Sequence, residues 1–128
     1  MTREHRADSR RAAERRGRRG ELLAIAVLVL KGYRILGRRV RTRAGEIDIV
    51  ARSPLGILCF VEVKARGVML DARQALQSPQ QTRIERAAEL YLAQWHGLKH
   101  RGVRFDTIAI SSRTWPQHVR DAWRPRGR

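Results

Sequence analysis

Residues 45–51 (GEIDIVA) and 57–65 (ILCFVEVKA) are two apolar stretches separated by 53–56 (SPLG). Pro and Gly together mark a turn, so the spacing predicts a β-hairpin. Side chains alternate faces along a strand. Glu46 and Asp48 are therefore expected on one face with Ile47 and Ile49 on the other, and Glu62 and Lys64 on one face with Val61 and Val63 opposite. If Ala51 pairs with Ile57 beside the turn, Asp48 and Glu62 become near neighbours. The continuous apolar start of the second stretch predicts a central strand covered on both faces.

Like charges facing each other destabilise a sheet, and burial raises the cost. One resolution is a divalent cation. Mg²⁺ takes oxygen ligands, commonly one or two carboxylates with waters and substrate phosphate completing the shell. Asp48 and Glu62 suit that pair, with Lys64 close enough to orient a water or stabilise charge on a phosphate. The competing explanation is a structural salt bridge of Lys64 with Glu62 or Asp48. Spacing alone leaves both open.

The flanking sequence completes one α/β domain. Residues 18–31 read as a helix with Gly32 at its C-terminal cap, apolar nearly all round and so expected to be covered on most faces. Residues 33–42 alternate apolar and basic residues, as in a half-exposed strand bent at Gly37. Residues 67–78 read as a loop, 79–95 as a helix opened by Pro79, and 103–111 as a fourth strand parallel to the third. Residues 115–123 form a short last element. Residues 1–16 are expected to be a disordered basic arm, 17–123 the folded domain and 124–128 a basic tail.

The formal net charge is +16, from 28 Lys and Arg against 12 Asp and Glu. Such a surplus, dominated by Arg, points to a polyanion, with nucleic acid as the expected partner. Residues 22–30 are nine consecutive apolar residues, well short of the roughly 20 a membrane span needs. No secretory h-region precedes them, so a cytoplasmic protein with no membrane partner is expected. The single cysteine, Cys59, fits that compartment as a buried, inert thiol. His96 and His100 are four apart, but Gly97 interrupts the helix and nothing nearby completes a zinc site. Trp95, Trp115 and Trp123 read as packing residues before base-stacking ones. No P-loop, serine triad or dinucleotide fingerprint is present.

GEIDIVA followed by CFVEVKAR resembles the D…E-x-K core of the PD-(D/E)xK nuclease superfamily. More closely, the chain resembles the YraN-type family of small bacterial proteins, predicted to be endonucleases of restriction-endonuclease-like fold. RRGELLAIAVLVLKGYRIL (18–36) carries that family's G-E…A…L…G-Y-x-I-L pattern. RIERAAELYL (83–92), VRFDTIAI (103–110) and HVRDAW (118–123) resemble its later helix, strand and closing segment. GRRVRTRA (37–44) and Gln80-Gln81-Thr82 depart from the family pattern.

The resemblance implies an α/β fold with a restriction-endonuclease-like mixed β-sheet flanked by helices. It implies Asp48 as the core metal-binding aspartate, Glu62 and Lys64 as the E-x-K ligand and catalytic lysine, and Glu21 as a third carboxylate from the first helix. The implied cofactor is Mg²⁺ or Mn²⁺. Glu46 belongs to the G-E-x-D motif, where holding the turn and touching metal are equally good roles. Asp106 is equally well structural, paired with Arg104 or Arg83. Arg41, Arg43 and Arg66, with Lys64, are the candidates for contacting a nucleic-acid backbone.

The expected activity is metal-dependent endonucleolytic hydrolysis of DNA phosphodiesters, on branched or structured DNA by analogy with Holliday-junction resolvases. That analogy also supplies the expectation of a homodimer. The alternative is a non-catalytic nucleic-acid-binding protein of the same fold acting in DNA uptake, recombination or repair. A ribosome-associated basic protein ranks below both.

Overall fold

The computed structural model describes residues 3–64, 79–111 and 114–125, with side chains of the first helix described at Arg6 and from Arg18 onward. The element order is α1 (Arg3–Leu30), β1 (Arg34–Thr42), β2 (Gly45–Arg52), β3 (Leu58–Lys64), α2 (Pro79–Gln94), β4 (Val103–Ala109) and β5 (Gln117–Trp123). One mixed sheet runs β1-β2-β3-β4-β5, with β3 and β4 parallel and every other neighbouring pair antiparallel. The expected sheet of about four strands thus gains a fifth, formed by the short last element.

The first helix begins at Arg3, fifteen residues before the expected start. It runs through the segment expected to be a disordered arm. Ala, Arg and Glu dominate that segment, and all three are strong helix formers, so the helix continues upstream of its apolar half. At the other end Gly32 has φ 87°. The Gly32 N–H donates to Val29 O and the Tyr33 N–H to Leu28 O at 2.9 Å, the paired bonds of a Schellman cap. A Cβ at Gly32 would sit 3.3 Å from Pro54 Cγ. Gly32→Ala is therefore expected to lower stability by about 1–2 kcal/mol, read as a lower denaturation midpoint with an unchanged m-value.

The β1–β2 hairpin turns at Arg43-Ala44, one residue before the expected Ala44-Gly45, with a register shift between Ile35 and Gly37 where a bend was expected. The β2–β3 loop is held by Ser53, whose N–H donates to Ile57 O at 2.8 Å and whose hydroxyl accepts the Ile57 N–H at 3.0 Å. Ala51 consequently pairs with Cys59, two residues beyond the expected partner. A shift of two preserves the face of every side chain. The crossover through α2 returns the chain to β4 parallel to β3.

Each sheet face packs against one helix. The α2 side holds Leu58, Phe60, Ile84, Ala87, Tyr91, Phe105 and Trp123, with Ile47 and Val50. Ile84, Ala87, Ala88 and Tyr91 recur at the spacing of one helix face. The α1 side holds Ala24, Leu28, Tyr33, Ile49, Ala51, Cys59, Val61, Ile108 and Ile110. Ile47 and Ile49 thus face opposite sides, against expectation. Arg39, which lies between the Arg38–Ile49 and Val40–Ile47 pairs, adopts φ 47°, and the alternation of β2 breaks opposite it. Among the described residues only one face of α1 is covered, and Leu22, Leu23, Val29 and Leu30 are exposed. Cys59 is fully buried, and burial pushes its thiol up to about 12, an inert group as expected. Among the described residues no helix is long and apolar enough to cross a membrane.

Candidate active site

The registered β2–β3 ladder ends at Ile49–Val61, and just beyond it Asp48 lies near enough to Glu62 for its charge to raise the Glu62 pKa. Along β3 alternate residues share a face. Leu58 and Phe60 place that face on the α2 side, so Glu62 and Lys64 continue along it, while Val61 and Val63 turn to α1. Where the ladder stops, Asp48 Oδ2 accepts the Val63 N–H at 2.8 Å. The carboxylate does locally what a neighbouring carbonyl would otherwise do.

Both acids are held in a form that resists ionisation. Burial raises the Asp48 pKa to about 6, against the lowering effect of the Val63 N–H and Arg39, with the charges of Glu21 and Glu46 raising it further. Burial also raises Glu62, with Asp48 adding to the shift and the Lys64 charge opposing it. Glu62 is 3% exposed, and among the described residues its buried Oε2 has no hydrogen-bond partner. Lys64 is half-buried at the end of β3, and among the described residues no ion pair joins it to Glu62 or Asp48. The salt-bridge explanation for this constellation therefore lacks its bond.

The remaining candidates fall around this pair. Glu21 of α1 is close enough to raise Asp48, but its carboxylate accepts from Arg39 Nε at 2.7 Å. Glu46 is exposed and lies 3.7 Å from Arg41, the weak pairing of a surface position. Arg41 and Arg43 are exposed at the β1–β2 turn. Arg66 lies outside the described residues, as does the 67–78 loop. Sequence reasoning missed Arg39, which both engages Glu21 and counters the negative charge around Asp48. Its position opposite Asp48 in the hairpin was the available signal. Arg83, the other expected partner of Asp106, instead lies near the β1–β2 turn, its Cβ 3.6 Å from where a Gly45 side chain would begin.

Among the described residues no three His, Cys, Asp or Glu side chains converge as a ready metal cluster. Mg²⁺ does not require three: one or two carboxylates suffice when water and phosphate supply the rest. Two neighbouring carboxylates, one with an oxygen buried and unpartnered among the described residues, form a hard-oxygen donor set that fits such an ion. Glu21 stays apart from that pair because Arg39 holds it.

Asp106 belongs to a different assembly. It is 0% exposed, and Arg104 donates to both its oxygens at 2.8 Å. His118 Nε2 lies 2.9 Å from Oδ2, and the Asp121 N–H donates to Oδ1 at 3.0 Å. Arg104 also reaches Tyr33 Oη at 2.6 Å, and Lys31 Nζ lies 3.0 Å from His118 Nδ1. The expected Arg104 pairing is present, and every oxygen of Asp106 is committed, so this acid is structural.

Two cavities flank α2. One, of about 560 Å³, has Leu92, Val103, Phe105 and Trp123 in its apolar wall and Glu85, Glu89 and Asp121 at its rim. Arg104 and Arg124 also line it, and it contains none of the candidate residues. The other, of about 690 Å³, lies between the Arg41–Arg43 segment and the C-terminal half of α2.

Fold and site together define an α/β protein with a mixed five-stranded sheet, compatible with a restriction-endonuclease-like fold, and with a carboxylate pair and a lysine gathered where two central strands part. The profile of the Uncharacterised protein family UPF0102 matches residues 20–110, and the chain belongs to that family, the YraN-type family. A UPF0102 protein of Mesorhizobium japonicum is 48% identical over 115 residues, covering 90% of this chain and 91% of the relative. One from Parvibaculum lavamentivorans is 49% identical over 114 residues, covering 89% and 85%. One from Sinorhizobium medicae is 42% identical over 123 residues, covering 96% and 100%.

Proposed function

We propose that this protein is a Mg²⁺- or Mn²⁺-dependent endonuclease that hydrolyses DNA phosphodiester bonds. The observation that carries the reading is the neighbouring pair Asp48 and Glu62, both with raised pKa values, with Glu62 Oε2 buried and unpartnered among the described residues. A fold that buries one carboxyl beside a second, half-buried one, without a partner for one oxygen among the described residues, maintains an unfavourable arrangement. A bound divalent cation reverses the sign of that cost. Asp48 and Glu62 would hold it, and it would supply charge neutralisation at the phosphate and a lowered pKa for water.

The chain's own residues do the rest. The Val63 N–H fixes the Asp48 carboxylate, and burial fixes Glu62. Lys64 stands two residues beyond Glu62 on the same face, about 7 Å along the strand. There its ammonium orients the attacking water or meets charge developing on the phosphoryl oxygens. Arg39 restrains Glu21 and moderates the local negative field. The surplus of positive charge draws the DNA in and makes binding fall steeply with salt. In the cytoplasm DNA is at hand and the lone Cys59 stays reduced.

The test is cleavage of branched and linear DNA with Mn²⁺ or Mg²⁺ by purified protein, with Lys64→Ala alongside. Cleavage is expected to fall about 10²- to 10³-fold in the variant. Equal cleavage by both proteins would assign the activity to a contaminant. The net charge of +16 favours a second reading, a non-catalytic DNA-binding protein in uptake, recombination or repair. That reading gains if salt-sensitive binding is measured and no substrate is cut.

A further inference from the structure

The groove of about 690 Å³ beside the candidate site has one basic wall and one neutral wall. Arg41, Thr42 and Arg43 form the first, at the end of β1. Leu90, Ala93 and Gln94 of α2 form the second. We infer that this groove binds a single-stranded segment of DNA leading away from the scissile phosphate, with Arg41 and Arg43 on its phosphates. The identity of the ligand rests on the nuclease reading; the single-stranded form rests on the groove.

The basic wall is a rigid platform. Thr42 Oγ1 donates to Gly45 O at 2.8 Å and accepts the N–H groups of Ala44 and Gly45 at 3.1 and 3.2 Å. Those bonds lock the turn, so Arg41 and Arg43 are presented from fixed backbone and fewer degrees of freedom are lost on binding. Arg41 at the end of β1 and Arg43 in the turn both line the groove. Among the described residues Arg41 has only Glu46 at 3.7 Å, and its side chain is 88% exposed. Such a pair is worth little, and a phosphate displaces it readily.

The neutral wall sets the form of the ligand. None of Leu90, Ala93 and Gln94 is charged, so nothing on this side of the groove repels phosphate. Leu90 and Ala93 offer apolar surface to sugars and base faces, and the Gln94 amide can meet base edges. A groove of about 690 Å³ between a hairpin turn and a helix is too small to enclose a duplex. Its distance from the reacting centre is short. Gly45 is three residues from Asp48, about 10 Å of strand, or roughly three nucleotides of a stacked strand. A substrate with an unpaired arm at the cleavage point, such as a flap or an open branch, would place that arm here.

Fluorescence anisotropy in EDTA, with a labelled single-stranded oligonucleotide and a blunt duplex of the same sequence, reads binding apart from cleavage. Two variants are compared with wild type: the double variant Arg41→Ala/Arg43→Ala, and Ala93→Trp, which fills the groove without changing charge. All three positions are exposed, and unchanged melting temperatures confirm that the variants fold. The double variant is expected to lose roughly tenfold in single-strand affinity, with the log–log salt slope shallower by about 1.4. Ala93→Trp is expected to weaken single-strand binding several-fold and leave duplex binding within twofold. Equal loss for single strand and duplex, or no effect of Ala93→Trp, overturns the groove. Loss of single-strand affinity in a protein that cuts nothing would uphold the groove and sink the nuclease reading. Cleavage dependent on Lys64 with unaltered single-strand affinity in both variants would do the reverse.

Discussion

Replacing Asp48 by Asn is expected to abolish cleavage and at the same time make the protein more stable at neutral pH. Asn can keep the Val63 bond through its carbonyl oxygen, so the hairpin end is retained. It cannot supply the charge that holds a divalent cation beside Glu62. Activity should fall by about four orders of magnitude or more, since ion polarisation and water activation go together. The stability gain follows from the pKa of about 6 in the folded protein. An acid whose folded pKa lies above its unfolded value binds more protons folded than unfolded, so stability falls as pH rises through the interval. The interval here runs from about 4, the unfolded value, to about 6, and at pH 7 the penalty is complete. Removing it should gain roughly 2–3 kcal/mol at pH 7, on the order of 10 °C in melting temperature, and no gain below pH 4. Mn²⁺ should raise the melting temperature of the wild type through mass action and leave that of the variant unmoved. A variant that still cuts DNA, or that melts below wild type at pH 7, would contradict this account of the site.

That site was legible in the sequence because its residues sit on regular, strongly patterned strands. Period two placed Glu62 and Lys64 on one face of β3 and Val61 and Val63 on the other, and the structure keeps that division. The hairpin register was misjudged by two residues, because Ser53 closes a longer loop through its hydroxyl and N–H. An error of two leaves every side chain on its face. The same reasoning failed in β2, where Arg39 at positive φ breaks alternation and sends Ile47 and Ile49 to opposite sides. Nothing in the residue pattern marks a non-glycine residue for that conformation. The start of α1 was missed because its upstream half has helix-forming residues without an apolar stripe. β5 was missed because Gln117–Trp123 lacks both alternation and an apolar run. The partners of Asp106 lie up to 87 residues apart through Lys31 and His118, and no local pattern connects them.

Asp106 shows the opposite use of a buried carboxylate, and its replacement by Ala is expected to have the largest effect on stability. Both acids accept a backbone N–H where a ladder is interrupted: Asp48 that of Val63, Asp106 that of Asp121, where β5 shifts register between Phe105 and Thr107 and Asp121 takes φ 54°. Asp48 is left short of partners. Asp106 is surrounded by them: burial alone would raise its pKa, but hydrogen bonds from His118, Arg104 and the Asp121 N–H outweigh burial and lower it. With the Lys31 ammonium donating to Nδ1, His118 offers its Nε2–H to Asp106, and the chain of bonds ties α1, β4 and β5 together. Asp106→Ala leaves a mostly buried guanidinium, a buried imidazole and a backbone donor without their acceptor. Breaking one side of such a pair costs about 3–5 kcal/mol, or roughly 10–20 °C in melting temperature for a domain of this size. The pH dependence also has the opposite sign to that of Asp48. A lowered folded pKa contributes stability above the unfolded value of about 4 and loses it as pH falls through the folded value. Wild type should therefore lose stability in acid below pH 4, and Asp106→Asn, already destabilised at pH 7, should show a flatter decline there. Thermal melts from pH 2.5 to 7.5 on the three proteins check both signs. An Asp106→Ala variant within about 1 kcal/mol of wild type would mean that the network around this acid contributes nothing net to the fold.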